Sequence, residues 1–407
     1  MLRRLLPACF VVSIVLFGTA MSGAPGTSEV VVHEWGTFTT VAGEDGRAVN
    51  WLPLGGPVDL PCFVQCYKNR QIKFLAGAEQ DGPIDYETAR STLVGTVRME
   101  TPVLYFYAPE DTTVSVRVRF PRGLMTEWYP AATVSQPTVV PTILDNPKIV
   151  GAIDWPAVRI APDRRPTYPV GSGTSHYYAA RNTDSAPLVV NGQDEKFLFY
   201  RGVASFPSIV SARLEQDNQV TVSNLGAYPV SSVILFENRE GRISYRQLDG
   251  GLAGTATVSR PTAPARFEDL RRDLIAMLVG TGLFQREAEA MVETWRESWF
   301  EEGTRVFYLV PPKAVDEILP LTVTPAPAAV ARAFVGRMEI ITPETLVRVH
   351  MAINAGDDKA LSVFARFLGP ITDRLAARTS SISDRSRLRA LANSMFAAYV
   401  KSVGACK

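Results

Sequence analysis

Between residues 29 and 260 the apolar positions fall at every second residue in short runs. In "VLYFYAPEDTTVSVRVRF" two such runs flank Pro109-Glu110-Asp111, and Val114, Val116, Val118 and Phe120 alternate with Ser115, Arg117 and Arg119. That alternation predicts a strand with one buried and one wet face. "PLVVNGQDEKFLFYRG" sets Asn191-Gly192 between apolar runs, and because both residues tolerate positive φ a hairpin is predicted there. "SIVSARLEQDNQVTVSN" and "VILFENREGRISYRQL" repeat the scheme. Strands at this spacing predict an antiparallel β-sandwich-like domain. Residues 130–187 are rich in Pro, Asp, Ser and Gly and read as long loops with short strands, the kind of segment in which function concentrates.

Near Pro261 the period lengthens. Pro264 can open a helix in which Phe267, Leu270, Leu274 and Met277/Leu278 share a face, with Gly280 and Gly282 at its end. A second helix over about 284–299 aligns Ala288, Val292, Trp295 and Trp299. Strands return at "RVFYLVP", "LPLTVTP" and "AFVGRMEI". The expected organisation is a β-rich domain over 28–342, with a helical hairpin at about 265–300 packed on it, and a helical segment over 343–407. Thr342-Pro343-Glu344 gives that segment an N-cap, a first-position proline and a first-turn acid. Gly356, Gly369-Pro370 and Ser380–Ser383 punctuate it, and Leu388, Leu391, Ala392, Met395, Phe396 and Tyr399 form a final apolar stripe that needs a partner surface. The fold class is therefore α+β.

Residues 1–24 stand apart from this pattern. Arg3 and Arg4 precede an apolar run from Leu5 to Met21 and then small residues, the layout of a secretory signal peptide cleaved after Ala20 or Ala24. A retained membrane anchor is the competing reading; Pro7, Gly18 and the small-residue tail favour removal. Loss of the two arginines takes the formal charge from +1 to −1. Near-neutrality argues against nucleic acid or an anionic membrane surface as partner, and no later segment predicts a membrane span. Export to the periplasm or the extracellular space allows Cys62 and Cys66 of "PCFVQC" to form a disulfide, with Cys406 as competitor. No second Cys/His pair stands at ligand spacing, so no metal or cofactor is assigned.

The candidate chemistry begins at "VVHEWGTFTT". In a strand, Val30, Val32, Glu34, Gly36 and Phe38 share one face, and His33, Trp35, Thr37 and Thr39 the other. Glu34 thus falls among core residues. By the same count Glu100 is in phase with Leu104 and Phe106, Arg201 with Phe197, Phe199 and Val203, and Arg337 and Glu339 with Val335 and Ile341. Charges on apolar faces must be paired or neutralised, and the economical expectation is that these meet. Two readings follow. One is a structural ion-pair network. The other is a polar cleft in which His33, Trp35, Arg201, Arg337 and Glu339 hold an anionic or hydroxyl-rich ligand, a small molecule or a glycan. Glu34 and Glu100 are the candidates for a paired-carboxylate hydrolase acting on carbohydrate or another envelope polymer. "HEWGT" lacks the second His and the helix of the zinc-protease motif. "GSGTSHYY" has Tyr177 where a nucleophile elbow needs Gly, and His33, His176 and His350 show no ligand spacing.

Taken together, "VVHEWGTFT", "RMETPVLYFY", "FLFYRG", "ETWRESWFEEGTRVFYLVP" and "VGRMEIITPE" resemble an uncharacterised exported bacterial family with a VHEWGTF-type N-terminal motif. The resemblance runs over most of residues 31–345, leaves the helical tail outside, and carries over no catalytic assignment. The expectation is an exported protein that binds a ligand or serves a structural role in the envelope or outside the cell.

Overall fold

The computed structural model describes residues 29–56, 60–68, 82–171 and 175–381, with scattered positions up to 394. The expected signal peptide, Cys406 and the end of the final apolar stripe lie outside the described residues.

In chain order the strands are β1 (Val31–Val41), β2 (Gln65–Cys66), β3 (Val97–Tyr107), β4 (Thr112–Pro121), β5 (Gly123–Tyr129), β6 (Thr133–Ser135), β7 (Val150–Ile160), β8 (Leu188–Val190) and β9 (Gln193–Glu195). They continue as β10 (Leu198–Ala204), β11 (Val210–Leu214), β12 (Gln219–Asn224), β13 (Val233–Arg239), β14 (Arg242–Gln247), β15 (Thr255–Ser259), β16 (Gly303–Val310), β17 (Leu321–Thr324) and β18 (Ala329–Ile340). The α-helices are α1 (Tyr86–Thr92), α2 (Phe267–Val279), α3 (Gln285–Thr294), α4 (Arg296–Trp299), α5 (Pro312–Ile318), α6 (Pro343–Ala355), α7 (Asp358–Ser362) and α8 (Leu368–Arg378).

The largest sheet has nine strands in the order β14-β13-β16-β18-β1-β3-β10-β5-β2. Its centre is mixed: β1 runs antiparallel to β3 but parallel to β18, with Val31 opposite Ala329 and Val41 opposite Glu339. On one face it shares a core with the sheet β17-β4-β7-β8-β9, through Val32, Phe38 and Leu104 against Val116, Val118 and Ile153. The three-stranded sheet β11-β12-β15 adds Val210, Val220 and Val222 to the same core. The opposite face carries helices. α2 and α3 press Leu274, Leu278, Met291 and Val292 onto Trp35, Tyr105, Phe307 and Val335. The tail α6–α8 packs Leu346, Val349, Phe367 and Ile371 against Val41 and Trp51. Both faces of the central strands are thus covered, which is why their sequences lack a clean polar alternation.

The chain is α+β, as its periodicity predicts, with differences at particular joints. The Pro109-Glu110-Asp111 turn closes no hairpin, because β3 and β4 lie in different sheets. Asn191-Gly192 does make one, at φ 49° and 75° between β8 and β9. The first hairpin helix begins at Phe267 rather than at Pro264. The second breaks at Trp295, whose φ of −101° and ψ of 2° separate α3 from α4 while its indole stacks on Trp299. Pro370 lies in the first turn of α8, where a missing N–H costs nothing, instead of separating two helices. Among the described residues no helix is long and apolar enough to cross a membrane.

Candidate functional site

Gly36 sets the geometry of the central strand. A Cβ there would stand 2.7 Å from Phe334 Cε1 and 3.1 Å from Pro102 Cγ, so only glycine lets the ring lie against the backbone. Opposite it β3 bulges: Trp35 pairs with Val103 and Thr37 with Glu100, and Thr101 takes a φ of +44°. The extra residue reverses the alternation of β3. Met99, Leu104 and Phe106 face the neighbouring sheet, whereas Glu100 turns towards the helices. Its expected phase with Leu104 and Phe106 is therefore wrong. An irregularity after Arg201 leaves that residue on the face of Phe197 and Phe199 but sends Val203 to the other side.

Glu34 keeps the predicted face and is wholly buried. Arg332 stands directly opposite on β18, with Nε and Nη2 each 2.6 Å from Oε2. The Tyr200 hydroxyl donates to Oε1, and Arg332 Nη1 donates to Asp316 Oδ1 at 2.8 Å.

The other ionic residues gather on the helix side. Arg366 Nη1 is 2.6 Å and Arg98 Nε 3.4 Å from Glu100 Oε1. Arg366 also lies 3.8 Å from Glu301, which accepts from Arg337 Nη2. Arg305 Nε is 2.9 Å from Glu339 Oε2. At the far end Arg201 donates to Thr101 Oγ1 at 3.1 Å and stands 3.8 Å from Glu127. Burial would raise the Glu100 carboxyl, but Arg366 and Arg98, with Arg337 and Arg201 beyond them, hold it at about 2. Burial pushes Glu339 up to about 7 despite Arg305 and Arg337. Burial, then Arg305, draws Arg337 down to about 10, still charged at neutral pH.

The structure thus brings Glu100, Arg201, Arg337 and Glu339 into one network and leaves Glu34 on the other face. Glu34 and Glu100, each sealed against an arginine, do not face one another across an open cleft as a pair of hydrolytic carboxyls would. His33, Trp35, Arg201, Arg337 and Glu339, the expected ligand contacts, are all buried.

His33 nevertheless leads to an opening. Its Nδ1 is 2.6 Å from Glu287 Oε2, and the same carboxylate accepts from Tyr107 Oη at 2.9 Å and from the Phe284 backbone N–H at 2.8 Å. Glu287 so fastens the start of α3 to β1 and β3, and Tyr107 turns its other side to solvent. Tyr107 lines a cleft of about 460 Å³, together with Arg164, Arg165, Tyr168, Asp184 and Lys196. Arg164 is held by Asp194 at 2.8 Å through two nitrogens, and Asp184 pairs with Arg286. Among the described residues Arg165 donates only to the carbonyls of Pro162 and Arg164, and Lys196 makes no ion pair. Burial, with Arg165 and Arg286 nearby, lowers the Lys196 ammonium despite the attraction of Asp184. The cleft therefore carries surplus positive charge beside two phenol rings. No spacing rule would have found it, although "APDRRPTYPV" lies in the loop-rich stretch. Arg98 carried a usable signal, since it falls in phase with Glu100.

The remaining candidates disperse. Cys66 is a free thiol, so the expected Cys62–Cys66 loop is not closed. His176 is 3.0 Å from Glu297, and His350 is exposed on α6. Among the described residues no three His, Cys, Asp or Glu side chains stand together as a metal site. No protein-family model matches the chain, and no curated protein is similar to it.

Proposed function

We propose that the protein is an exported binding protein of the periplasm or extracellular space, akin to the VHEWGTF-type family. Its ligand is a small anionic, hydroxyl-bearing molecule such as an acidic sugar unit. The observation that carries this reading is the pair of cations, Arg165 and Lys196, that make no ion pair among the described residues and line the cleft with Tyr107 and Tyr168. Cations on a concave wall recognise carboxylate or sulfate groups, and phenol rings beside them suit a sugar ring. Export rests on the amino-terminal pattern of residues 1–24. The test is calorimetric titration with uronic-acid oligosaccharides against their neutral counterparts. Lys196→Ala and Arg165→Ala, both outside the core, are expected to weaken binding of the acidic ligand about tenfold or more, about 1.4 kcal/mol, without moving the unfolding midpoint. Equal binding of acidic and neutral sugars, or none by either, would overturn the assignment.

A further inference from the structure

Between the central sheet and the helical tail, several buried donors have nothing to donate to. The hydroxyls of Thr37 and Thr39, Nε of Arg201, and Nε and Nη1 of Arg337 meet no acceptor among the described residues. Thr37, Thr39 and Arg337 are wholly buried, and Arg201 nearly so. Buried donors are rarely left unmade, because each forfeits its hydration without return. These are also neighbours. Thr39 stands opposite Arg98 on β3 and opposite Arg337 on β18, and Thr37, next on the same face, stands opposite Glu100. Arg201 reaches the region through Thr101, the residue after Glu100.

A guanidinium does not escape burial by losing its proton, so the unpartnered nitrogens of Arg201 and Arg337 call for an acceptor that carries negative charge.

We infer that this face of the sheet holds one small oxyanion of sulfate, phosphate or carboxylate type, bound by Thr37, Thr39, Arg98, Arg201 and Arg337. Guanidinium forks fit such anions two oxygens at a time, which a spherical halide cannot match, and the threonine hydroxyls supply further donors. The site shares no residue with the open cleft and stands independently of the ligand proposed there. Because it lies beneath the tail, the anion serves the folded state, and its binding is read as stability.

The experiment is thermal unfolding of the full chain, extensively dialysed and titrated with inorganic phosphate, sulfate, acetate or chloride at constant ionic strength. The expected result is a saturable rise in Tm with at least one oxyanion and none with chloride. Thr39→Val, isosteric and uncharged, is expected to shift that saturation to about tenfold higher concentration, and Thr39→Ser to leave it near the wild-type value. Identical responses to chloride and all three oxyanions, or no saturable rise with any of them, would overturn the inference. So would a folded Thr37→Val/Thr39→Val protein with an unchanged titration. Should the valine variants fail to fold, the wild-type comparison of oxyanions with chloride decides alone.

Discussion

Glu339 and Glu100 belong to one charge network yet respond to pH in opposite directions. In an unfolded chain both would titrate at about 4.3. Glu100, held at about 2 by its arginines, contributes stability that is complete above the unfolded value and lost as the pH falls towards 2. Glu339, raised to about 7 by burial, binds its proton more tightly when folded. Its contribution is complete below about 4.3 and is lost as the pH rises through 7. Glu339→Gln, which fixes the neutral form, is therefore expected to flatten the decline in stability across that window. Urea midpoints measured at pH steps through it provide the check; an unchanged slope would show that Glu339 does not titrate there. Arg332 and Tyr200 occupy the two oxygens of Glu34, and removing it would strand a buried guanidinium at a cost of about 3–5 kcal/mol.

Elements that follow a single period were legible before any coordinates. The apolar stripe of α2, the Asn191-Gly192 hairpin and the start of α6 all appear in the sequence for reasons of local chemistry. In α6 the Thr342 hydroxyl accepts from the Thr345 N–H at 3.2 Å, the cap that Thr-Pro-Glu predicts. Thr342→Ala is expected to cost about 1 kcal/mol, read as a lower urea midpoint with an unchanged m-value. A shift in m instead would mean that the tail had come loose. What failed was phase across a bulge. Glu100 was placed on the wrong face because Thr101 at φ +44° adds a residue to β3, although Pro102 inside the strand was a readable mark of that break. The cleft was illegible for another reason: Tyr107, Arg165 and Lys196 come from a strand end and two loops, and no periodicity links them.

At the scale of the molecule, the charges on strands far apart in sequence do meet, but on two faces rather than one. The sheet separates a compact pair, Glu34–Arg332, from an extended network lying under the helical tail. Closing its centre requires β1 to lie beside β18, and the Glu34–Arg332 contact spans 298 positions of the chain. Such pairing is entropically late, since the loop must close before its contacts contribute. A fragment of residues 29–320 is expected to show no cooperative urea transition by near-UV circular dichroism, although it holds the sixteen strands β1 to β16 complete and lacks only β17 and β18 of those described. A sharp transition in that fragment would mean that β1 finds adequate cover without its parallel neighbour. The proposed export would give this late closure a use. A polypeptide threaded through a translocation channel would have no finished sheet to jam in the pore until almost all of it had passed, and so would stay a threadable passenger.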